Sequence, residues 1–176
     1  NLANLMTAAG NPNVYAYRFD WDEEGSVMGY DMSKAFGAAH ALEIPFVFGS
    51  FEGGISALGP LFQNSPGKDA LSAAMMSYWD QFAYTGNPER SSEGTRVPWT
   101  SWGTNGKTAI VFDTEQDRGI RMMDEEVTVA SIKTELESDS GITDVRERCA
   151  LYVRTFRFSS FDEDEYRDFG PEGCAE

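Results

Sequence analysis

One histidine, His40, and two cysteines, Cys149 and Cys174, are all that this 176-residue chain has of those residue types. That scarcity excludes a zinc centre built from Cys and His. The cysteines are 25 residues apart, not at zinc spacing, and no further ligand of either type exists to complete a set. No metal or other cofactor is expected. Basic residues are also few: 14 Lys and Arg stand against 29 Asp and Glu, for a formal net charge of −15. A surface of that sign repels phosphate backbones, so nucleic acid is not an expected partner. The acidity reads as solubility. There is no run of about 18 apolar residues, so no membrane span is expected. The phosphate-cradling GxxxxGK[ST] and GxGxxG patterns are missing, and so is a GxSxG nucleophile elbow. Gly25-Ser26-Val27-Met28-Gly29 matches the elbow only if its serine is moved by one residue, and Ser56 in GGISALG fares no better. No signal peptide is visible at Asn1, which is not an initiator Met. NLANLMTAAGNPNV reads as the end of a helix followed by a turn into a strand, so the chain is expected to begin inside a domain.

What is present is enough for a core. Hydrophobic residues make up 41% of the chain and aromatic residues 13%, at the length of one ordinary domain. VYAYRFDW, Val14 to Trp21, alternates and is rich in β-branched and aromatic residues, which predicts a strand. Ser26 to Ala39 has weak periodicity and reads as a loop or broken helix. EIPFVFG is a short apolar block in which Pro45 forbids a long helix. Ser65 and Pro66 predict the start of a helix, with Ser65 as its N-cap. Leu71, Met75, Trp79, Phe82 and Ala83 give that helix one face, and Gly86 stops it. TAIVFD and GIRMM predict a hairpin. Val127 to Glu137 predicts a short helix. Thr143 is expected to cap another, with Val145, Cys149, Tyr152, Val153 and Phe156 on its buried face. The acidic tail FDEDEYRDF reads as solvated or loosely packed. Cys149 and Cys174 either form a disulfide that pins this tail or remain free thiols, with Cys149 buried on a helix. A bridge would imply an oxidising compartment.

His40 has two readings on chemistry alone, a catalytic base or a polar residue among apolar neighbours. Carboxylates are too numerous for any pair to stand out. The order of segments decides between the two readings. VYAYRFDW, then GAAHALEIPFVFG, then LSAAMMSYWDQFAYTGNP, then VPWTSW followed by TAIVFD, resembles the C-terminal third of a type-B carboxylesterase, the cholinesterase-like branch of the α/β-hydrolases. The resemblance covers about residues 12 to 113, follows only loosely to 156 and does not reach the tail.

The resemblance implies an α/β class: residues 1–176 as the C-terminal segment of one α/β-hydrolase domain, without an internal boundary and incomplete without an upstream chain. It implies a serine esterase that works through an acyl-enzyme on a small carboxylic ester, with no cofactor. In such enzymes the triad runs Ser, then acid, then His, and His40 fits the last place as general acid–base. Serine and acid are expected upstream, on a companion N-terminal chain or portion, and the isolated chain is expected to be inactive. Glu43 is implied to support the histidine loop through hydrogen bonds rather than to serve as the triad acid. Phe46 and Phe48 line a substrate pocket or, as the preferred reading, pack beneath the loop. Family habit, and a disulfide should the two cysteines be bridged, favour a secreted or periplasmic protein. The alternative is a non-catalytic cholinesterase-like binding or adhesion domain.

Overall fold

The computed structural model describes residues 2–52, 56–63, 65–170 and 172–174; residues 53–55 of the GGISALG stretch lie outside them. The chain divides into two compact units, Asn1–Glu125 and Glu126–Glu176.

The first unit is built on a three-stranded sheet. β1 (Tyr17–Phe19) runs parallel to β4 (Ala109–Phe112), with Tyr17 opposite Ile110 and Phe19 opposite Phe112; β5 (Arg121–Met123) runs antiparallel to β4. All four residues of β4 are buried, as a strand paired on both edges and covered on both faces requires. The hairpin expected from TAIVFD and GIRMM is β4 and β5. The strand expected over Val14–Trp21 is shorter, because its ends pair elsewhere. The Val14 carbonyl accepts from the Trp102 amide at 2.7 Å, while the Asp20 amide still donates to Phe112 at 2.9 Å. The segment expected as loop or broken helix holds a small hairpin, β2 (Ser26–Val27) with β3 (Tyr30–Asp31), and a single-turn helix, α2 (Ser33–Phe36). Its turn residues Met28 and Gly29 both have positive φ, 52° and 84°, which matches the right-handed twist of a two-residue hairpin. A short helix, α1 (Leu2–Ala8), precedes the sheet.

After β3 the chain forms α3 (Ile44–Phe48), a 3-10 helix (Ser56–Phe62) and the long α4 (Lys68–Thr85). Ser65 does not cap α4. Gly67 stands at the N-cap with φ 78°, and the Ser65 hydroxyl donates to the Glu23 carbonyl at 2.7 Å. The buried face also differs from the expected one. Leu71, Ala74, Met75 and Tyr78 are buried, whereas Phe82 and Ala83 are exposed. Tyr78 decides the rotation. Its ring is wholly buried and its hydroxyl donates to the Val97 carbonyl at 2.6 Å, so the polar tip enters the core with a partner. Burial pushes that phenol up to about 12. Gly86, at φ 74°, ends the helix as expected and donates to Phe82. The core joins Trp21, Phe46, Phe62, Met75, Tyr78, Trp99, Ile110 and Phe112.

The second unit has its own core of Cys149, Tyr152, Phe156, Phe169 and Cys174. It contains α5 (Val129–Ser138), α6 (Val145–Phe156) and α7 (Glu163–Arg167). Thr128 and Ser131 form a reciprocal capping box at α5, with bonds of 2.8 and 3.0 Å. Asp144, not Thr143, caps α6, accepting from the Arg146 amide at 2.8 Å. Aspartate outcompetes the neighbouring threonine here because its charge also meets the positive end of the helix dipole. Arg148 is buried, and its guanidinium donates to the carbonyls of Leu136, Glu137, Asp139 and Ile142, closing the end of α5. The acidic tail is not loosely packed. Asp162 caps α7, Glu163, Asp164 and Glu165 fill its first turn, and Phe169 packs on Tyr152 at 4.7 Å. Cys149 and Cys174 are joined in a disulfide, with Cα atoms 5.6 Å apart. Among the described residues, no helix is long and apolar enough to cross a membrane.

A unit this small has little core to spare. Replacing both cysteines with alanine should cost about 3 kcal/mol, the chain-entropy value for a loop of this length. It should also open the segment after Phe156 to protease. Limited proteolysis of the wild type and the double variant checks this, and equal resistance would contradict it.

Candidate active site

The loop that carries His40 is pinned on both sides. Ala39 packs against the core and Leu42 is buried in it, so the two residues that flank the His40–Ala41 dipeptide face inward while the imidazole is exposed. Successive tight turns leave the backbone no slack: the Ala39 amide donates to Gly37 at 2.6 Å, Leu42 to Ala39 at 3.2 Å and Ile44 to Ala41 at 3.3 Å. Ala41 sits at φ 73°, in the left-handed region. An L-residue there costs about 1 kcal/mol, which the buried anchors on either side must offset.

α3 fixes the far end of the loop. Pro45 at its first turn supplies a preset φ where no amide bond is needed. Phe46 is wholly buried, with ring centroids 5.2 Å from Phe19, 5.0 Å from Trp21 and 5.1 Å from Phe51. Its carbonyl accepts from the Ser72 hydroxyl of α4 at 2.9 Å. Phe46 therefore packs beneath the loop, as preferred from sequence, whereas Phe48 is exposed. Gly49 ends α3 at φ 61°, and a Cβ there would stand 2.6 Å from the Met76 sulfur of α4. The glycine permits both the left-handed cap and the close approach of the two helices.

Glu43 stands three residues after His40, at the N-cap position of α3, half-buried and not bonded to the histidine. Its Oε1 accepts from the Tyr17 hydroxyl of β1 at 3.5 Å, a long contact. Burial, and then the charge and hydrogen bond of Glu43, raise the Tyr17 phenol above its ordinary value. The His40 side chain makes no hydrogen bond among the described residues. The structure thus brings Glu43 to the strand behind the loop, and among the described residues no carboxylate bonds to the imidazole. Tyr17 was not singled out from sequence. It is one aromatic residue of the expected strand, and only the fold puts its hydroxyl beside Glu43.

Ser26 begins a two-residue strand of the small hairpin, not a strand-to-helix corner, so it is no nucleophile elbow. Asp22, Glu23 and Asp117 bring carboxylate oxygens within 4.8 Å of one another. Arg121, paired with the neighbouring Asp20 and Asp113 at 3.6 and 3.3 Å, offsets part of that charge.

A model of the carboxylesterase family matches residues 1–131. The chain belongs to the carboxylesterase family. It is 33% identical over 102 residues to a para-nitrobenzyl esterase of Bacillus subtilis (strain 168), a match covering 58% of this chain and 18% of that protein. It is 32% identical over 120 residues to carboxylesterase 4A of Bos taurus, covering 68% of this chain and 19% of that protein. The crystal structure of Aspergillus niger EstA superposes with a TM-score of 0.51 at 26% identity, over 76% of this chain and 23% of that one. The chain spans less than a fifth of the length of these two curated relatives. Its helices and small mixed sheet are a partial α/β-hydrolase fold.

Gly49→Ala should destabilise the first unit by about 2 kcal/mol, from the left-handed backbone and the collision with Met76 together. Adding Met76→Ala should return the steric part and leave the backbone part. Chemical denaturation of both variants checks this, and an unchanged midpoint for Gly49→Ala would contradict the packing described.

Proposed function

We propose that the intact protein is a serine carboxylesterase and that this chain supplies its general acid–base, His40. The reading is carried by one observation: the sole histidine lies in the family's matched region on a turn whose neighbours are anchored and whose imidazole is exposed. A base that must accept a proton from a serine and return it to the alcohol needs that combination of fixed backbone and open ring. The serine, the oxyanion-hole donors and the triad acid belong upstream, on a preceding portion or companion chain of the same α/β-hydrolase domain. The substrate is a small-molecule carboxylic ester, and no metal or other cofactor takes part.

Glu43 is a support for the loop in this reading. Its contact with Tyr17 ties the N-terminus of α3 to β1, which keeps the residues after His40 in register with the sheet. The disulfide favours export to an oxidising compartment.

The test is hydrolysis of a p-nitrophenyl ester by the intact protein. His40→Ala should lower kcat by several orders of magnitude with little change in KM. Near-normal turnover in that variant would end the reading. Glu43→Gln should retain most of kcat; a loss equal to that of His40→Ala would make Glu43 the triad acid instead. Residues 1–176 alone should show no turnover above the solvent rate.

A further inference from the structure

Glu24 is only 6% exposed, and among the described residues neither of its carboxylate oxygens has a hydrogen-bond partner beyond Glu24's own backbone. The esterase mechanism does not use it. Its neighbours hold it in place. On one side, the Glu23 carbonyl accepts from Ser65 and the Glu23 carboxylate from Thr114. On the other side, the Gly25 amide donates to the Leu61 carbonyl at 2.9 Å. A Cβ at Gly25 would lie 3.1 Å from the Gln63 carbonyl and 3.4 Å from that of Pro60, so the backbone there runs close against the 3-10 helix and its exit. The backbone on both sides of Glu24 is thus fixed against neighbouring segments.

The weaker side is the hairpin. Glu23 is tied by two bonds from two different segments, whereas the hairpin is held by the single Gly25 amide bond and by Val27, which packs only partly buried against the core. Beyond Gly25 the hairpin is two residues per strand and carries an exposed tip at Met28 and Tyr30. The charged groups that act on Glu24 are Asp22 and Glu23 beside it and Asp31 across the hairpin, all acidic. On the cationic side, Lys34 is engaged with Asp31 at 3.3 Å, while Arg118 and Arg121 share a pocket with Asp22, and Arg121 is paired with Asp20 and Asp113. The 3-10 helix Ser56–Phe62 contributes no charged residue.

We propose that Glu24 is a protonation latch for the Ser26–Asp31 hairpin, which seats on the 3-10 helix while the carboxyl is neutral and detaches when it ionises. Detachment gives the carboxylate water in place of a buried site and separates the hairpin from the 3-10 helix. The hairpin leads through α2 into the turn that carries His40, so the latch sets how firmly that turn is held from its N-terminal side. The inference goes beyond the esterase reading and does not rest on it.

Burial, ahead of the acidic neighbours, raises the Glu24 carboxyl from 4.5 to about 7 in the seated state. The seated form therefore binds the extra proton. Its advantage is complete below about pH 4.5, shrinks through the interval up to about 7, and is gone above it.

Hydrogen exchange of the 176-residue chain, followed by mass spectrometry from pH 5 to pH 8 and corrected for intrinsic rates, reads this directly. Protection of residues 25–31 should fall by about tenfold to a hundredfold over that range. In Glu24→Gln it should stay flat and high. A fall of the same size in Glu24→Gln would assign the pH dependence to another group and overturn the proposal, as would a flat profile in the wild type. If Glu24→Gln does not fold, a carbon-13 titration of the Glu24 carboxyl in the wild-type chain decides. A midpoint near 7 with a coincident shift of the Val27 and Tyr30 amides supports the latch, and a midpoint near 4.5 removes it.

Discussion

The parallel pairing of β1 with β4 is the constraint from which the first unit follows. Two strands that run the same way cannot be joined by a tight turn, so residues 20–108 must leave the sheet, cross and return. That excursion holds the hairpin, the histidine loop, α3 and α4. Each stays in place by sending aromatic or aliphatic side chains into one core, with Phe46 and Trp21 among its most buried members. The histidine is held outward because Ala39 packs against the core and Leu42 and Phe46 are buried in it.

The strain at Ala41 belongs to the same arrangement. A left-handed alanine is disfavoured by itself, and it persists where the surrounding contacts fix the chain from both ends. For a group that has to meet a reacting atom within a fraction of an ångström, a backbone held by burial on both sides is preorganised before any substrate is present.

Where local chemistry decided the structure, it was legible in the sequence. The hairpin of TAIVFD and GIRMM, the glycine stop at Gly86 and the bar that Pro45 sets to a long helix through EIPFVFG all rest on the preferences of a few adjacent residues. The misses have a common cause in long-range packing. Ser65 has the chemistry of an N-cap, but its hydroxyl is taken by Glu23, far away in sequence. The periodic face drawn through Phe82 and Ala83 was rotated because Tyr78, with its polar tip, found a buried carbonyl at Val97. The hairpin at Ser26–Asp31 lacks an Asn-Gly turn and a clean alternation, so nothing local announced it. The acidic tail read as solvated because its charges hide Phe169 and Cys174, which only the second core explains. At the candidate site, the motif around His40 was legible, while the contact of Glu43 with Tyr17 required the sheet.

The closure of α5 by Arg148 gives the second unit a distinctive tolerance. Among the described residues this guanidinium is matched by peptide carbonyls rather than by a carboxylate. Carbonyl oxygens take up no proton in the acid range, so no neutralised partner abandons the arginine as the medium acidifies. Their dipoles lie within bonding distance of a guanidinium that is itself buried, where dissolved ions screen less than at the open surface. The junction between α5 and α6 is thus a polar one with the indifference to acid and brine usually expected of an oily contact.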